Sequence, residues 1–229
     1  MPAPISVPTT LVIATRNAHK AAEIRAILSH GLEIRTLNDF PGAPAVIEDA
    51  PTFAGNAAKK ALELARWLLQ TGALNAAMPR GKVLVLADDS GLEVDALGGA
   101  PGVHSARFAA LDNDSAAALK SGNSSDAANN AKLLRPLDNV PSEQRGARFR
   151  CVLALVEAAP AGIERPPEMF DGVCEGRIGF SPHGQGGFGY DPLFVPTGFE
   201  QSFAELGETV KNRISHRAKA LNKLRDWLS

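Results

Sequence analysis

The stretch that most constrains this chain runs from Val83 to Phe108, VLVLADDSGLEVDALGGAPGVHSARF. It opens as a short apolar run and ends in two adjacent carboxylates, Asp88 and Asp89. A continuous apolar run of this length suits a strand buried on both faces. A buried strand that delivers acids at its C-terminal end is how open α/β sheets present a site. Ser90 and Gly91 read as the turn that ends the strand, and Gly98–Gly99–Ala100–Pro101–Gly102 as a loop beyond it.

The rest of the chain supports the same architecture. Leu11–Ala14 is a short β-type run. Residues 18–28 show helical spacing, with Ala21, Ile24, Ile27 and Leu28 on one face and Asn17 as the N-cap. Leu32–Leu37 reads as a second strand. Thr52 caps a helix that ends near Gln70, with the stripe Phe53, Ala57, Ala61, Leu64 and Leu68; Lys59 and Lys60 are neighbours on it, and spacing alone does not choose between them. Ala147–Glu157 and Met169–Ile178 read as strands paired as a long hairpin, and Leu193–Val195 as a further one. Ser202–Leu206 suggests a helical turn. Ser215 precedes a final helix lined by Ala218, Leu221, Leu224 and Leu228. The Ser-, Asn- and Asp-rich segment around residues 112–127 reads as a mobile surface insertion, and residues 1–10, with three prolines and no basic run, as a flexible N-terminus and not a signal peptide.

With a net charge of −1 over 229 residues, the chain has no global field to hold nucleic acid, so any anion site has to be local. Cys151 and Cys174 lack metal-ligand spacing, which argues against a zinc site and a disulfide framework. Apolar runs fall well short of the roughly 18–20 residues of a membrane span. A cytoplasmic protein with no membrane partner is expected.

Two helix starts break a local rule. His19 and Lys20 lie in the first turn after Asn17, and His216 and Arg217 in the first turn after Ser215. The positive end of a helix dipole favours acids, so bases there point to an anion that both could meet. Glu48 and the Asp88–Asp89 pair suit a hard, oxygen-seeking cation, and magnesium is the usual choice where phosphates complete the coordination. Residues 184–192 form a glycine-dense loop with an aromatic face and a carboxylate. Metal, phosphate and base features together describe a nucleoside triphosphate site. There is no GxxxxGK[ST] run, so it is not a P-loop.

On ATRNAHKAAEI (14–24), TFAGNAAKKA (52–61), ADDSGLEVDALGGAPGVHSARF (87–108), GGFGYDPLF (186–194) and KNRISHRAKAL (211–221), the chain resembles the inosine triphosphate pyrophosphatase family. These segments occur in family order across nearly the whole chain. The resemblance implies a single α/β domain over residues 1–229, with a long twisted mixed central sheet flanked by helices and two lobes with a cleft between them. It also implies a homodimer, Mg²⁺, and hydrolysis of deaminated purine nucleotides (ITP, dITP, XTP) to monophosphate and pyrophosphate. Carried over by position, Thr15, Arg16, Asn17, Ala18, His19 and Lys20 match the phosphate-binding stretch. Glu48 and Asp89 match metal-associated acids, with Asp89 also the proton acceptor, and Ser90 lies beside it. Lys60 matches the family lysine, Phe188, Gly189, Tyr190 and Asp191 the base-binding loop, Lys211 a substrate contact, and His216 and Arg217 the base-edge readers. Arg16 stands where many members have glycine. A pyrophosphatase for other modified nucleotides would use the same parts; a nucleotide sensor would keep the base loop and lose the acids.

Overall fold

The computed structural model describes residues 9–28, 31–73, 82–112 and 123–229. Among these, six strands form one mixed sheet in the order β2-β1-β3-β4-β5-β6. They are β1 (Thr9–Ile13), β2 (Leu32–Thr36), β3 (Lys82–Val94), β4 (Gly146–Ala158), β5 (Glu168–Ile178) and β6 (Phe194–Pro196). β1 runs parallel to both β2 and β3, and β5 antiparallel to β6. The helices are α1 (Ala18–Leu28), α2 (Phe53–Gln70), α3 (Asp126–Leu134), α4 (Phe203–Ile214) and α5 (His216–Leu228). None is long and apolar enough to cross a membrane.

The chain divides into two compact units. The first holds the described parts of Met1–Asp89, Cys151–Asp171 and Arg217–Ser229; the second holds those of Ser90–Arg150 and Gly172–His216. In the first unit, β3 alternates between two apolar clusters. Val83, Val85 and Ala87 pack with Ala57, Ala61, Leu64 and Leu68 of α2. Leu84 and Leu86 pack with Ile24 and Leu28 of α1 and with Leu221 and Leu224 of α5. Both faces are covered by helices, so from Val83 to Ala87 the strand is apolar at every position instead of every second one. In the second unit, Leu92 and Val94 join Leu133, Phe149, Phe194 and Phe203 in a separate core.

The helix starts follow the sequence closely. Asn17 Oδ1 accepts from the N–H groups of His19 (2.9 Å) and Lys20 (3.1 Å). Thr52 Oγ1 accepts from Gly55 N–H at 3.1 Å. All five residues of the α2 stripe are buried.

Other elements differ. Ser90 and Gly91 do not turn the chain; β3 continues through them to Val94, because Leu92 and Val94 extend its buried alternation. The helical turn at Ser202 grows into α4, capped by Ser202 and Glu205, with Gly207 at φ +76° interrupting its helical backbone. β1 starts at Thr9, before the apolar run, with Thr9 and Thr10 both buried. β4 and β5 are sheet neighbours, and an antiparallel bridge joins Ala159 to Gly162 in the turn between them. Of the surface insertion read at 112–127, residues 113–122 lie outside the described residues, and Asp126–Ala127 already belong to α3. Residues 1–8 also lie outside the described residues.

Candidate active site

Strand geometry separates the two neighbouring acids. Successive side chains on a strand point to opposite faces. Asp88 therefore follows Leu84 and Leu86 towards α1 and α5, and Asp89 follows Val85 and Ala87 towards α2.

Asp88 is buried (4% exposed) among cations. Lys20 Nζ lies 2.5 Å from its Oδ1 and Arg217 Nε 2.8 Å from its Oδ2. The guanidinium also pairs with Glu23 through Nη1. The Cys151 thiol donates to Asp88 Oδ2 at 3.3 Å. Burial alone would raise the Asp88 carboxyl, but Arg217 and Lys20 outweigh it and hold the group well below the ordinary Asp value. Lys20 and Arg217, one from each helix start, thus meet on one carboxylate of the protein.

Asp89, also buried, faces a different set. Lys60 Nζ contacts Asp89 Oδ1 (2.8 Å), Glu48 Oε1 (3.0 Å) and the Asp88 carbonyl (2.8 Å). Three acceptors match the three donors of an ammonium. Asn56 Nδ2 donates to Asp89 Oδ2 at 3.3 Å, while Asn56 Oδ1 accepts from the Ala50 N–H at 2.9 Å. Asn56 and Lys60 are one helical turn apart, so one face of α2 grips both Asp89 and the segment that carries Glu48. Burial and the Glu48 charge push the Asp89 carboxyl above its ordinary value, and Lys60 offsets only part of this. Burial works against the charged Lys60, yet Asp89 and Glu48 hold its ammonium above the ordinary lysine value. Lys59 turns instead to the exposed Asp49, at 2.7 Å. Of the two lysines, Lys60 joins the acids.

The remaining residues of the stretch 15–20 build its turn. Thr15 Oγ1 accepts from Asn17 N–H at 3.1 Å. Arg16 Nη2 donates to the Ala43 carbonyl at 2.8 Å, which gives this guanidinium a direction that its sequence position left open. Ala18 and His19 open α1, with His19 exposed.

The second unit holds the glycine-dense loop. Lys211 Nζ lies 2.5 Å from Asp191 Oδ2, and both side chains are buried. The same oxygen accepts from Phe188 N–H at 2.9 Å, and the Lys211 ammonium sits 4.4 Å from the centroid of the Phe188 ring. Gly187 is required here: its φ is +74°, and a Cβ would lie 2.1 Å from Asp191 Oδ2. Tyr190 is buried, and its hydroxyl donates to the Ser105 carbonyl at 2.9 Å. Burial pushes that hydroxyl's pKa up. Ser105 in turn donates to the Gly102 carbonyl (2.6 Å) and accepts from Leu92 N–H (2.9 Å). The Gly98–Gly102 loop, with Gly98, Gly99 and Gly102 all at positive φ, therefore leads into the residue that ties β3 to Tyr190. His216 stacks on Phe149, with ring centroids 4.7 Å apart.

The expected base-edge pair is divided between the units. His216 belongs to the second and Arg217 to the first, where its guanidinium holds Asp88 and Glu23. Sequence reasoning passed over Asn56, Glu23 and the tie from Cys151 to Asp88. A polar residue four before Lys60, within an apolar helical stripe, was the available signal for Asn56. Glu23, 194 residues from Arg217, carried none.

A model of the Ham1 family matches residues 11–227. The chain belongs to the Ham1 family. Among its relatives, the dITP/XTP pyrophosphatase of Geobacillus kaustophilus is 49% identical over 215 residues, spanning 93% of this chain and 91% of that one. The dITP/XTP pyrophosphatase of Opitutus terrae is 44% identical over 224 residues, spanning 95% and 97%. A solved HAM1 protein from Coxiella burnetii is 35% identical with a TM-score of 0.75, covering 96% of this chain and 98% of its own. The mixed sheet flanked by helices is thus the Ham1 fold.

Proposed function

We propose that this Ham1 protein is a Mg²⁺-dependent pyrophosphatase that hydrolyses ITP, dITP and XTP to the monophosphate and pyrophosphate. The observation that carries the reading is the Asp89–Lys60–Glu48 group, with Asp89 and Lys60 buried and Glu48 partly exposed, in a chain whose relatives are named dITP/XTP pyrophosphatases. Such relatives are hydrolases of phosphorus-containing anhydrides, and this chain is one of that class.

The donor set fits magnesium. Glu48 Oε1 and Asp89 Oδ1 approach one cationic group within 3.0 Å, and both are hard oxygen donors. Among the described residues no cluster of three or more His, Cys, Asp or Glu forms an all-protein cage. Mg²⁺ commonly takes only one or two carboxylates and completes its octahedron with water and substrate phosphates. Glu48 and Asp89 would hold it, and its chemistry there is to neutralise charge on the phosphate oxygens.

The protein's own residues carry the rest. Asp89 accepts a proton from the attacking water, a task suited to a carboxylate raised by burial. The water oxygen bonds to the α-phosphorus, the bond to the bridging oxygen breaks, and pyrophosphate leaves. Thr15–Lys20, Lys60 and Ser90 orient the phosphates, and such a step is mostly positioning and charge stabilisation. Phe188, Gly189, Tyr190, Asp191 and Lys211 serve the base. His216 and Arg217 donate to the 6-oxo group of hypoxanthine or xanthine, which adenine replaces by an amino donor. Arg217 would do so from a guanidinium that also bonds Asp88 and Glu23. A homodimer in the cytoplasm completes the reading, supported by the family resemblance.

The test is incubation with ITP, dITP, XTP, GTP and ATP in the presence of Mg²⁺, with pyrophosphate and phosphate measured separately. Pyrophosphate from the deaminated nucleotides is expected. Phosphate as the product would move the scission point, and equal turnover of ATP and ITP would remove the base-reading assignment.

A further inference from the structure

The glycine-dense loop has a further anchor besides Asp191–Lys211 and Tyr190–Ser105. Gly189 N–H donates to Asp126 Oδ2 at 2.6 Å, and the Gly189 carbonyl accepts from Asn130 Nδ2 at 3.0 Å. Asp126 and Asn130 stand four apart on α3, on one face of the helix. A single helix therefore holds both main-chain polar groups of one loop residue, and that residue lies between Phe188 and Tyr190. Gly189 has a φ of +63°, a conformation that glycine adopts readily, and the two α3 contacts fix its peptide groups in place.

Asn130 bears a second mark. It is buried, yet its Oδ1 has no hydrogen-bond partner among the described residues. A buried amide normally uses both ends. Turning the amide over would take the donor from Gly189, so the loop carbonyl fixes which end faces it. The side chain is placed for the loop at the expense of its own oxygen.

We propose that Asp126 and Asn130 are positioning residues for base selection: α3 sets the conformation of Gly189, and through it the placement of Phe188 against the nucleotide base. This rests on the reading of Phe188–Asp191 as the base-binding loop. The two contacts differ in what they need. Gly189 N–H requires only an acceptor oxygen, which an amide also offers; the Gly189 carbonyl requires a donor, which alanine lacks.

The experiment is steady-state kinetics with ITP, XTP, GTP and ATP on the wild-type protein and on Asp126→Asn, Asp126→Ala, Asn130→Ala and the double alanine variant, with melting temperatures alongside. Asn130→Ala and the double variant should raise KM for ITP by about 10-fold, the worth of a hydrogen bond of ordinary strength. Their kcat should stay within about two-fold, since a uniform binding loss leaves the chemical step alone. The ITP-to-GTP ratio of kcat/KM should narrow. Asp126→Asn should keep wild-type KM where Asp126→Ala does not. Alanine variants that melt lower but keep KM and the base ratio would show a purely structural tie and overturn the proposal, as would a fall in kcat at unchanged KM. Failure of the underlying base-loop reading looks different: the wild-type protein itself would not distinguish ITP from ATP, and the proposal would fall with it.

Discussion

Asp88 and Asp89 are consecutive in sequence yet belong to opposite faces of the sheet, Asp88 bound by Lys20 and Arg217 and Asp89 by Lys60 and Asn56. The strand's two-residue period makes one acid the centre of a structural charge cluster and leaves the other beside Glu48. The two should respond differently to mutation.

Asp88→Asn should cost stability. Removing one partner of a buried ion pair leaves the other uncompensated, at about 3–5 kcal/mol. The lower end is expected, because Arg217 keeps Glu23 and the Lys20 side chain is partly exposed. Urea unfolding of the metal-free protein measures it; a loss below about 0.5 kcal/mol, the size of an ordinary surface change, would remove Asp88 from its structural role.

The same carboxylate sets a pH dependence. Its folded-state pKa lies below the ordinary value of 3.8. The stabilisation is therefore present above that value and lost as pH falls through the folded-state pKa. Acid titration of the unfolding free energy should show a steeper decline below pH ~4 in wild type than in Asp88→Asn. Parallel curves would assign acid sensitivity to other carboxylates.

Gly187→Ala should collapse the glycine-dense loop. A left-handed backbone costs an L-residue about 1–2 kcal/mol, and the new Cβ displaces Asp191 from Phe188 N–H and Lys211. Expected are a lower melting temperature and a raised nucleotide KM; a variant with both unchanged would mean that the loop relaxes around the methyl.

Tyr190→Phe is a milder test of the same loop. The hydroxyl's bond to the Ser105 carbonyl is buried, and losing it should cost about 0.5–1.5 kcal/mol. Equilibrium unfolding reads this directly, and a neutral result would mean that water replaces the hydroxyl.

Much of this arrangement is written locally. The caps at Asn17 and Thr52, the α2 stripe and the apolar run of β3 are short-range patterns, and the structure follows them. The split of the Asp pair is itself implicit in strand period. Ser90–Gly91 misled because turn propensity there is overridden by burial of Leu92 and Val94. The continuation of α4 was hidden by Gly207, which breaks the helical pattern. Glu23 and Asn130 were not legible for another reason. Each matters through a partner distant in sequence, and only the fold brings those partners together.

The proposed mechanism gives the proton acceptor's role to Asp89 and not to Asp88. Steady-state turnover of ITP by Asp89→Asn at saturating Mg²⁺ tests that assignment. Loss of a general base should lower kcat by about 10²–10⁴-fold with the fold retained. Turnover within a few-fold of wild type, with melting unchanged, would contradict it.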